Sequence, residues 1–469
     1  MCWTGDGRHS SQMVAVPSHA RSAAAPTRTT IGPLDLTLLA VANGLLVVGM
    51  WVRHGGLQEL ATTAGRFTAE GQLTALLGTY LILIQLILMA RSPWLEQRFG
   101  MDGLAKAHKW VGFSAVWLLV GHGVLTTIGY AMGDQQSFIG EAWTLLTTYP
   151  YVLMATAGMA LFVAVGVSSV RAVRRRVSYE TWYGIHLYAY LAVALAFAHQ
   201  LAVGTDFSSD PLARIYWITL YAVTALLILT FRVGQPIRVN LRHRLRVAQV
   251  VQESPDVLSV YVTGRELGRL PVRAGQYFTW RFLARDGWWR AHPYSLSAAP
   301  NGQFLRLTVK ALGDGSSAMW DLTPGTRIFV EGPYGVLTGA RRTRQRSLLI
   351  AGGIGITPLR ALLEELPAPP NGLTLLYRAS SWDDVVFGAE LDELMAQRGA
   401  AVHYLVGRRG SAELPEDPLA PDMLLGLVPD VRRRDVFLCG PAPMMAAAVA
   451  SLAALGVPPA QVHAERFEY

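Results

Sequence analysis

Two things are scarce in this chain: cysteine and charge. Cys2 and Cys439 are its only cysteines among 469 residues, too few for a disulfide framework or for a zinc or iron–sulfur site built on cysteine. Charged residues make up 16%, against roughly 25% in an average soluble domain. Hydrophobic residues make up 51%, and mean hydropathy is +0.29. That balance excludes disorder, collagen and disulfide-rich miniproteins, and it argues against an ordinary soluble enzyme. Residues 1–30 contain no apolar run leading into a cleavage site, which excludes a secretory signal. Polar, basic and Ser/Ala-rich, residues 1–33 read as a disordered cytoplasmic tail, with Met13 an alternative start.

What the chain has instead is long apolar sequence. Six stretches, at about 34–52, 71–90, 108–130, 150–170, 181–203 and 211–231, are each about long enough to cross ~30 Å of hydrocarbon. They predict a six-span transmembrane helical bundle over residues 34–232. Lys and Arg gather on alternate connections: Arg91, Arg98, Lys106 and Lys109; Arg171, Arg174, Arg175 and Arg176; then Arg232, Arg238, Arg242, Arg244 and Arg246. By the positive-inside rule both termini are cytoplasmic. Much of the net charge of +8 is thus a topology signal and requires no nucleic-acid partner.

Four histidines lie inside these spans, where ionisable groups are costly and usually functional. His108 and His122 are fourteen residues apart on the third span, and His186 and His199 are thirteen apart on the fifth. Fourteen residues of helix rise about 21 Å and return to within about 40° of the same face. One histidine then sits near each membrane surface on each span. With both spans running outward, His108 pairs with His186 near the cytoplasm and His122 with His199 near the outside. Imidazole is an axial haem ligand, so the pattern reads as two bis-histidine haems stacked across the bilayer. Gly112, Gly121, Gly123 and Gly184 are expected to leave room for flat macrocycles. A zinc site would want its ligands clustered.

After Phe231 the pattern changes. Residues 238–340 alternate polar and apolar between turns, as in an antiparallel β-barrel. They hold His292-Pro293-Tyr294-Ser295, Gly313-Asp314-Gly315-Ser316-Ser317 and Gly332-Pro333-Tyr334-Gly335. Residues 345–469 alternate strands and helices, predicting an α/β domain with a parallel sheet and a nucleotide at the strand C-termini. Gly352-Gly353-Ile354-Gly355-Ile356-Thr357-Pro358 joins a strand to a helix. Its glycines allow close approach to a pyrophosphate at a helix N-terminus, and Thr357 suits the cap. The next strand ends in Arg378-Ala379-Ser380, where a carboxylate would favour NAD; Arg378 and Ser380, with Arg408 and Arg409 beyond, suit a 2′-phosphate and hence NADPH. The alternative is that these arginines are solvated loop charges.

On these motifs, residues 34–469 resemble the ferric reductase and NADPH oxidase superfamily. The histidine pairs resemble its haem domain, His292-Pro293-Tyr294-Ser295 its flavin motif, and Cys439-Gly440-Pro441 the motif beside the nicotinamide. Glu465-Arg466-Phe467-Glu468-Tyr469 resembles its terminal segment, where an aromatic, Phe467 or Tyr469, covers the isoalloxazine. The resemblance implies that Tyr294 packs on the flavin and Ser295 reaches its polar atoms. It implies that Gly315, Ser316 and Ser317 hold the FAD pyrophosphate, that Gly353, Gly355 and Thr357 hold that of NADPH, and that Cys439 lies by the hydride path. It further implies FAD, two b-type haems and NADPH as cofactors, with an acceptor outside that is a ferric complex, oxygen or a quinone. No obligatory subunit is evident. Arg53 and His54 at the outer end of the first span read either as a pair for an outer haem propionate or oxygen site, or as interfacial side chains. Some oxidases carry a further histidine one turn beyond the outer third-span ligand; that position here is Thr126. The expected function is transmembrane electron transfer, with a ferric complex slightly favoured over oxygen. The alternatives are a flavin reductase on an inert anchor and a donor to an extracytoplasmic partner protein.

Overall fold

The computed structural model describes residues 32–465 except 209, 285–287, 312, 314–315, 317, 409, 412–413 and 415–416. The tail expected over 1–33 lies outside them but for its last two residues. Gly315, Ser317, Arg409, Phe467 and Tyr469 also lie outside the described residues.

Six helices among the described residues are long and apolar enough to cross a membrane. They are α1 (Pro33–Arg53), α2 (Thr63–Leu88), α3 (Pro93–Gly133), then, after a shorter α4 (Phe138–Thr148), α5 (Val152–Ser169), α6 (Tyr179–Val203) and α7 (Pro211–Leu227). Two of them outrun the apolar stretches. α2 begins at Thr63 and not near 71, and α3 at Pro93 and not near 108. The extra turns carry Arg66, Glu70, Glu96, Arg98, Asp102 and Lys106, which interrupt an apolar run; in α3 they flank a break between two helical stretches. Local chemistry starts the α2 turns: Thr62 caps by accepting from the Gly65 N–H at 3.0 Å. Gly100, at φ +66°, kinks α3. The sixth span likewise does not stop near 231. It continues through a π-helical segment, Ile228–Gly234, into α8 (Gln235–His243). Pro236 in the first turn of α8 has no N–H to donate, and the wider π turn accommodates that gap.

α2 and α3 are antiparallel and pack very closely. A Cβ at Gly71 would lie 2.5 Å from Thr126 Oγ1, and one at Gly129 would lie 2.3 Å from Thr68 Oγ1. Small residues let the backbones approach, as is usual between membrane helices.

The barrel region that follows the membrane helices has two layers of sheet. β1 (Arg246–Ser254), β2 (Val257–Thr263) and β5 (Leu305–Lys310) form one antiparallel sheet, and β3 (Tyr277–Phe282), β4 (His292–Ser295) and β6 (Ile328–Tyr334) the other. Bridges at Leu296–Leu307 and Arg246–Arg327 link them around a core that includes Phe278, Trp280, Leu296 and Leu307. Then come β7 (Arg346–Gly352), α9 (Ile356–Glu365), β8 (Leu373–Ala379), α10 (Gly388–Gln397), β9 (Ala401–Val406), α11 (Pro421–Leu427), β10 (Arg434–Cys439), α12 (Ala442–Ala454) and β11 (Val462–Ala464). The five strands are parallel in the order β11-β10-β7-β8-β9. β7 is central, so the loop that leaves it opens at the middle of the sheet's C-terminal edge.

Candidate functional site

The four membrane histidines come together in two places. His108 and His186 face each other with ring centroids 5.9 Å apart and planes tilted by 52°. Imidazole–metal bonds of about 2 Å on each side fit a gap of that size. His122 and His199 form the second place, close enough to interact electrostatically. The α3 rings are held from behind. His108 Nδ1 lies 3.4 Å from the Gln85 carbonyl oxygen and His122 Nδ1 3.0 Å from that of Gly71. Gln85 and Gly71 are fourteen residues apart on α2, the same spacing as the histidines on antiparallel α3. A metal-ligating histidine usually donates its other N–H to such a partner, which leaves Nε2 for the metal. His186 Nδ1 and His199 Nδ1 are buried without a hydrogen-bond partner. This donor set fits two axially ligated haems.

Of the glycines expected to make room, Gly121, Gly123 and Gly184 have nothing within 4 Å of an added Cβ. Gly112 is different: its Cβ would lie 2.7 Å from Gln85 Oε1, so it serves the packing of α2 on α3 and makes no space for a macrocycle. Thr126 Oγ1 lies 3.2 Å from His122 Nδ1. At the C-terminal end of α1, His54 Nε2 lies 2.9 Å and Arg53 Nη2 3.4 Å from Asp210 Oδ2, so both side chains clamp α1 to the start of α7.

The barrel presents the next group. In β4, Ser295 pairs with Tyr277 and Tyr294 with Phe278. Ser295 is 5% exposed, and its Oγ has no partner, as expected of a hydroxyl facing a ligand. His292 stacks on Tyr294 with centroids 5.8 Å apart. Burial lowers its pKa, helped by the charge of Arg290, so the ring is neutral. Pro293 lies between them, opposite Thr279. Ser316 closes a turn on Gly313, accepting from its N–H at 3.1 Å and donating to its carbonyl at 2.8 Å.

At the centre of the parallel sheet, Gly353 has φ +52° and open space where a Cβ would stand. Gly355 lies against Cys439: its Cβ would be 2.5 Å from the Cys439 carbonyl oxygen. Gly352 and Gly440 pack on each other, a Cβ on Gly440 falling 3.0 Å from Gly352 Cα. The loops after β7 and β10 therefore touch, and Pro441 caps α12 beside them. Thr357 is not the cap of α9. That position is Gly355, and the Thr357 hydroxyl instead donates to the Ile354 carbonyl at 3.0 Å; the three-residue 3-10 turn Gly353–Gly355 leads directly into α9 and moves its start before Thr357. Arg378 Nη1 donates to the Leu405 carbonyl at 2.8 Å, with Ser380 and Arg408 exposed at the same edge. Cys439 is wholly buried, and burial raises its thiol pKa well above the usual range, so it is an uncharged thiol.

Several site features had no sequence signal that composition or motif could show. Arg306 and Arg360 both contact Glu390, and Arg306 Nη2 and Arg360 Nη1 both donate to the Ser297 carbonyl, at 2.8 and 3.1 Å. This cluster fixes the barrel on the parallel-sheet domain. The membrane helices join through Glu96, whose Oε1 accepts from the Gly335 N–H at 2.7 Å. Asn240 of α8 joins too. Its Nδ2 donates to the Val330 carbonyl at 2.7 Å and its Oδ1 accepts from the Val330 N–H at 2.9 Å. Glu465 lies beside Gly335; burial, with the charges of Glu96 and Asp102, pushes its carboxyl up to about 8.

Family models match three stretches of the chain. Residues 74–197 match the ferric reductase like transmembrane component, 242–338 an FAD-binding domain and 349–450 an oxidoreductase NAD-binding domain. Among curated relatives, the ferredoxin reductase component of 3-ketosteroid-9-alpha-monooxygenase from Mycolicibacterium smegmatis is 34% identical over 237 residues, 48% of this chain and 65% of that protein. The flavohemoprotein of Pseudomonas aeruginosa is 33% identical over 233 residues, 48% of this chain and 58% of that protein. This chain thus spans less than two thirds of the length of either. A solved FAD/NAD-binding domain of nitric oxide dioxygenase from Vibrio cholerae is 28% identical, with a TM-score of 0.39, over 48% of this chain and 99% of that one.

Proposed function

The chain has the fusion architecture of the ferric reductase and NADPH oxidase superfamily, a transmembrane oxidoreductase with FAD- and NAD(P)H-binding domains, and from that premise we propose that it passes electrons from cytoplasmic NADPH through FAD and two b-type haems to an acceptor outside, a ferric complex before oxygen. The observation that carries this is the matched spacing on α2 and α3: carbonyls at Gly71 and Gln85 orient His122 and His108 towards His199 and His186. When bound, FAD accepts a hydride from the nicotinamide and the haems carry single electrons, chemistry that belongs to the cofactors.

The protein's part is to hold and to exclude. With the cofactors bound, Tyr294 would pack on the flavin and Ser295 Oγ would reach its polar atoms, Gly353 and the α9 N-terminus would receive the NADPH pyrophosphate, and Arg378, Ser380 and Arg408 would receive the 2′-phosphate. Cys439, buried and uncharged, supports the ring stack without exchanging a proton. By the positive-inside rule the basic connections, and with them both termini, lie in the cytoplasm. Outward electron flow is then favoured by about 2.3 kcal/mol per 100 mV of inside-negative potential. His122 and His199 would hold the outer haem from both sides, which would leave an acceptor only the haem edge to take its electron from. Thr126, one turn after His122, stands where some oxidases carry a further histidine, and this favours a ferric complex slightly over dedicated superoxide formation.

The test is NADPH oxidation by the full-length protein in lipid, with and without oxygen. Ferric-chelate reduction that proceeds undiminished without oxygen is the expected result. Turnover that needs oxygen and yields superoxide stoichiometrically, with negligible direct iron reduction, assigns the oxidase activity instead.

A further inference from the structure

The connection between α2 and α3 holds three buried polar atoms with nothing to bond: Nε and Nη1 of Arg91 and Oγ of Ser92. Ser92 is 2% exposed. Arg91 has φ +63°, a left-handed conformation uncommon outside glycine, asparagine and aspartate. Buried guanidinium and hydroxyl donors left unsatisfied are costly, and each such group in a native fold calls for an explanation. Three of them on consecutive residues make a site for an anion.

The surroundings say which anion. The Arg91 guanidinium carbon stands 4.4 Å from the centroid of the Tyr334 ring, and the Tyr334 and Tyr277 rings are 5.8 Å apart. Tyr277 pairs with Tyr334 on one side and with Ser295 on the other. Directly paired residues share a face of the sheet, so Arg91 and the unpartnered Ser295 Oγ lie at two ends of one face, with the tyrosine pair between. Gly335, next after Tyr334, is held by Glu96 in the first turn of α3, just after the α2–α3 connection. Arg91 is thereby brought from the membrane domain to the flavin end of the barrel. Tyr334, Tyr277 and Glu96 act on its charge, Tyr277 also through a hydrogen bond that leaves Nε and Nη1 unpartnered, and one of the Glu96 oxygens is already engaged by the Gly335 N–H.

We propose that Arg91, assisted by Ser92, holds the negative charge of the reduced isoalloxazine, so that the membrane domain supplies part of the flavin site. This rests on the FAD reading above. A hydride brings the ring two electrons and one proton, hence one added negative charge, at the N1 and O2 edge. Charge placed there tunes the flavin, and the planar guanidinium fork suits a delocalised anion. Arg91 is a binding and tuning residue, and its signature is a preference for the reduced ring over the oxidised one.

The experiment is spectroelectrochemical titration of flavin and haems in the full-length protein, as wild type, Arg91→Asn and Arg91→Lys. Asparagine removes the charge and tolerates the left-handed backbone; lysine keeps the charge without the fork. Arg91→Asn is expected to weaken the preference for reduced flavin about tenfold, which lowers a two-electron potential by about 30 mV, with haem potentials unmoved and partial recovery in Arg91→Lys. Should Arg91→Asn not accumulate, Ser92→Ala removes one donor and is expected to lower the flavin potential by a smaller amount. A flavin potential unchanged in these variants overturns the proposal; if the inner haem potential moves instead, the arginine serves a haem propionate. A wild-type protein that binds no FAD contradicts the FAD reading and leaves a different failure on record.

Discussion

At the residue scale the account turns on glycines and carboxyls that sit where a larger or differently charged group could not. Gly71 supplies the carbonyl that orients His122, and a Cβ there would meet Thr126 Oγ1 at 2.5 Å and Thr126 N at 2.9 Å. Gly71→Ala must push α2 from α3 at that level. The expected outcome is a protein that keeps the His108–His186 haem and loses the outer one, read as a halved haem content by haemochrome absorbance with flavin content unchanged. Glu465 gives a pH prediction. Its folded carboxyl stays neutral until about 8, against an ordinary value of 4.5. Between those values unfolding releases a proton, so stability falls as pH rises through that window. Glu465→Gln is expected to flatten this slope, melting later than wild type at pH 8 and about equally at pH 4.5. A wild-type slope unchanged by the substitution contradicts the assignment. The histidine spacing was legible in the sequence because four titratable groups in apolar spans stand out. Gly71 and Gln85 were not, because a backbone carbonyl has no sequence signature.

At the element scale, helix existence was readable from apolar length and helix ends were not. α3 starts fifteen residues before the apolar stretch, since charged residues that follow the hydrocarbon still form good helix. The sixth span runs on through the π segment to Asn240, although Gly234 and Pro236 look like a stop. That extension has a consequence. Asn240 pairs with both polar groups of Val330, so α8 completes an edge of the barrel sheet. Asn240→Ala removes both bonds and leaves buried groups of β6 unpaired, a loss of about 1–3 kcal/mol. The expected result is lowered thermal stability together with slower haem reduction by NADPH, while flavin reduction proceeds. Haem reduction at the wild-type rate in a variant of reduced stability would show that α8 is only a tether.

At the scale of the whole molecule, the three units could be read from the alternation of apolar length, period-two strands and strand–helix repeats. Their junction could not. Glu96 on Gly335, Arg306 on Glu390, and Arg91 over Tyr334 join residues tens to hundreds of positions apart, each pair from two different units. Yet these contacts join the Tyr334–Gly335 turn of the barrel to the connection between α2 and α3 and to the first turn of α3, and tie the barrel to the parallel-sheet domain. The arrangement is a conduit only if both histidine pairs carry haem. The most direct measurement is the haem and flavin content of the purified full-length protein, followed by anaerobic addition of NADPH. The account predicts two b-type haems and one FAD per chain, with both haems reduced by NADPH. A haem-free protein that oxidises NADPH at full rate would contradict it.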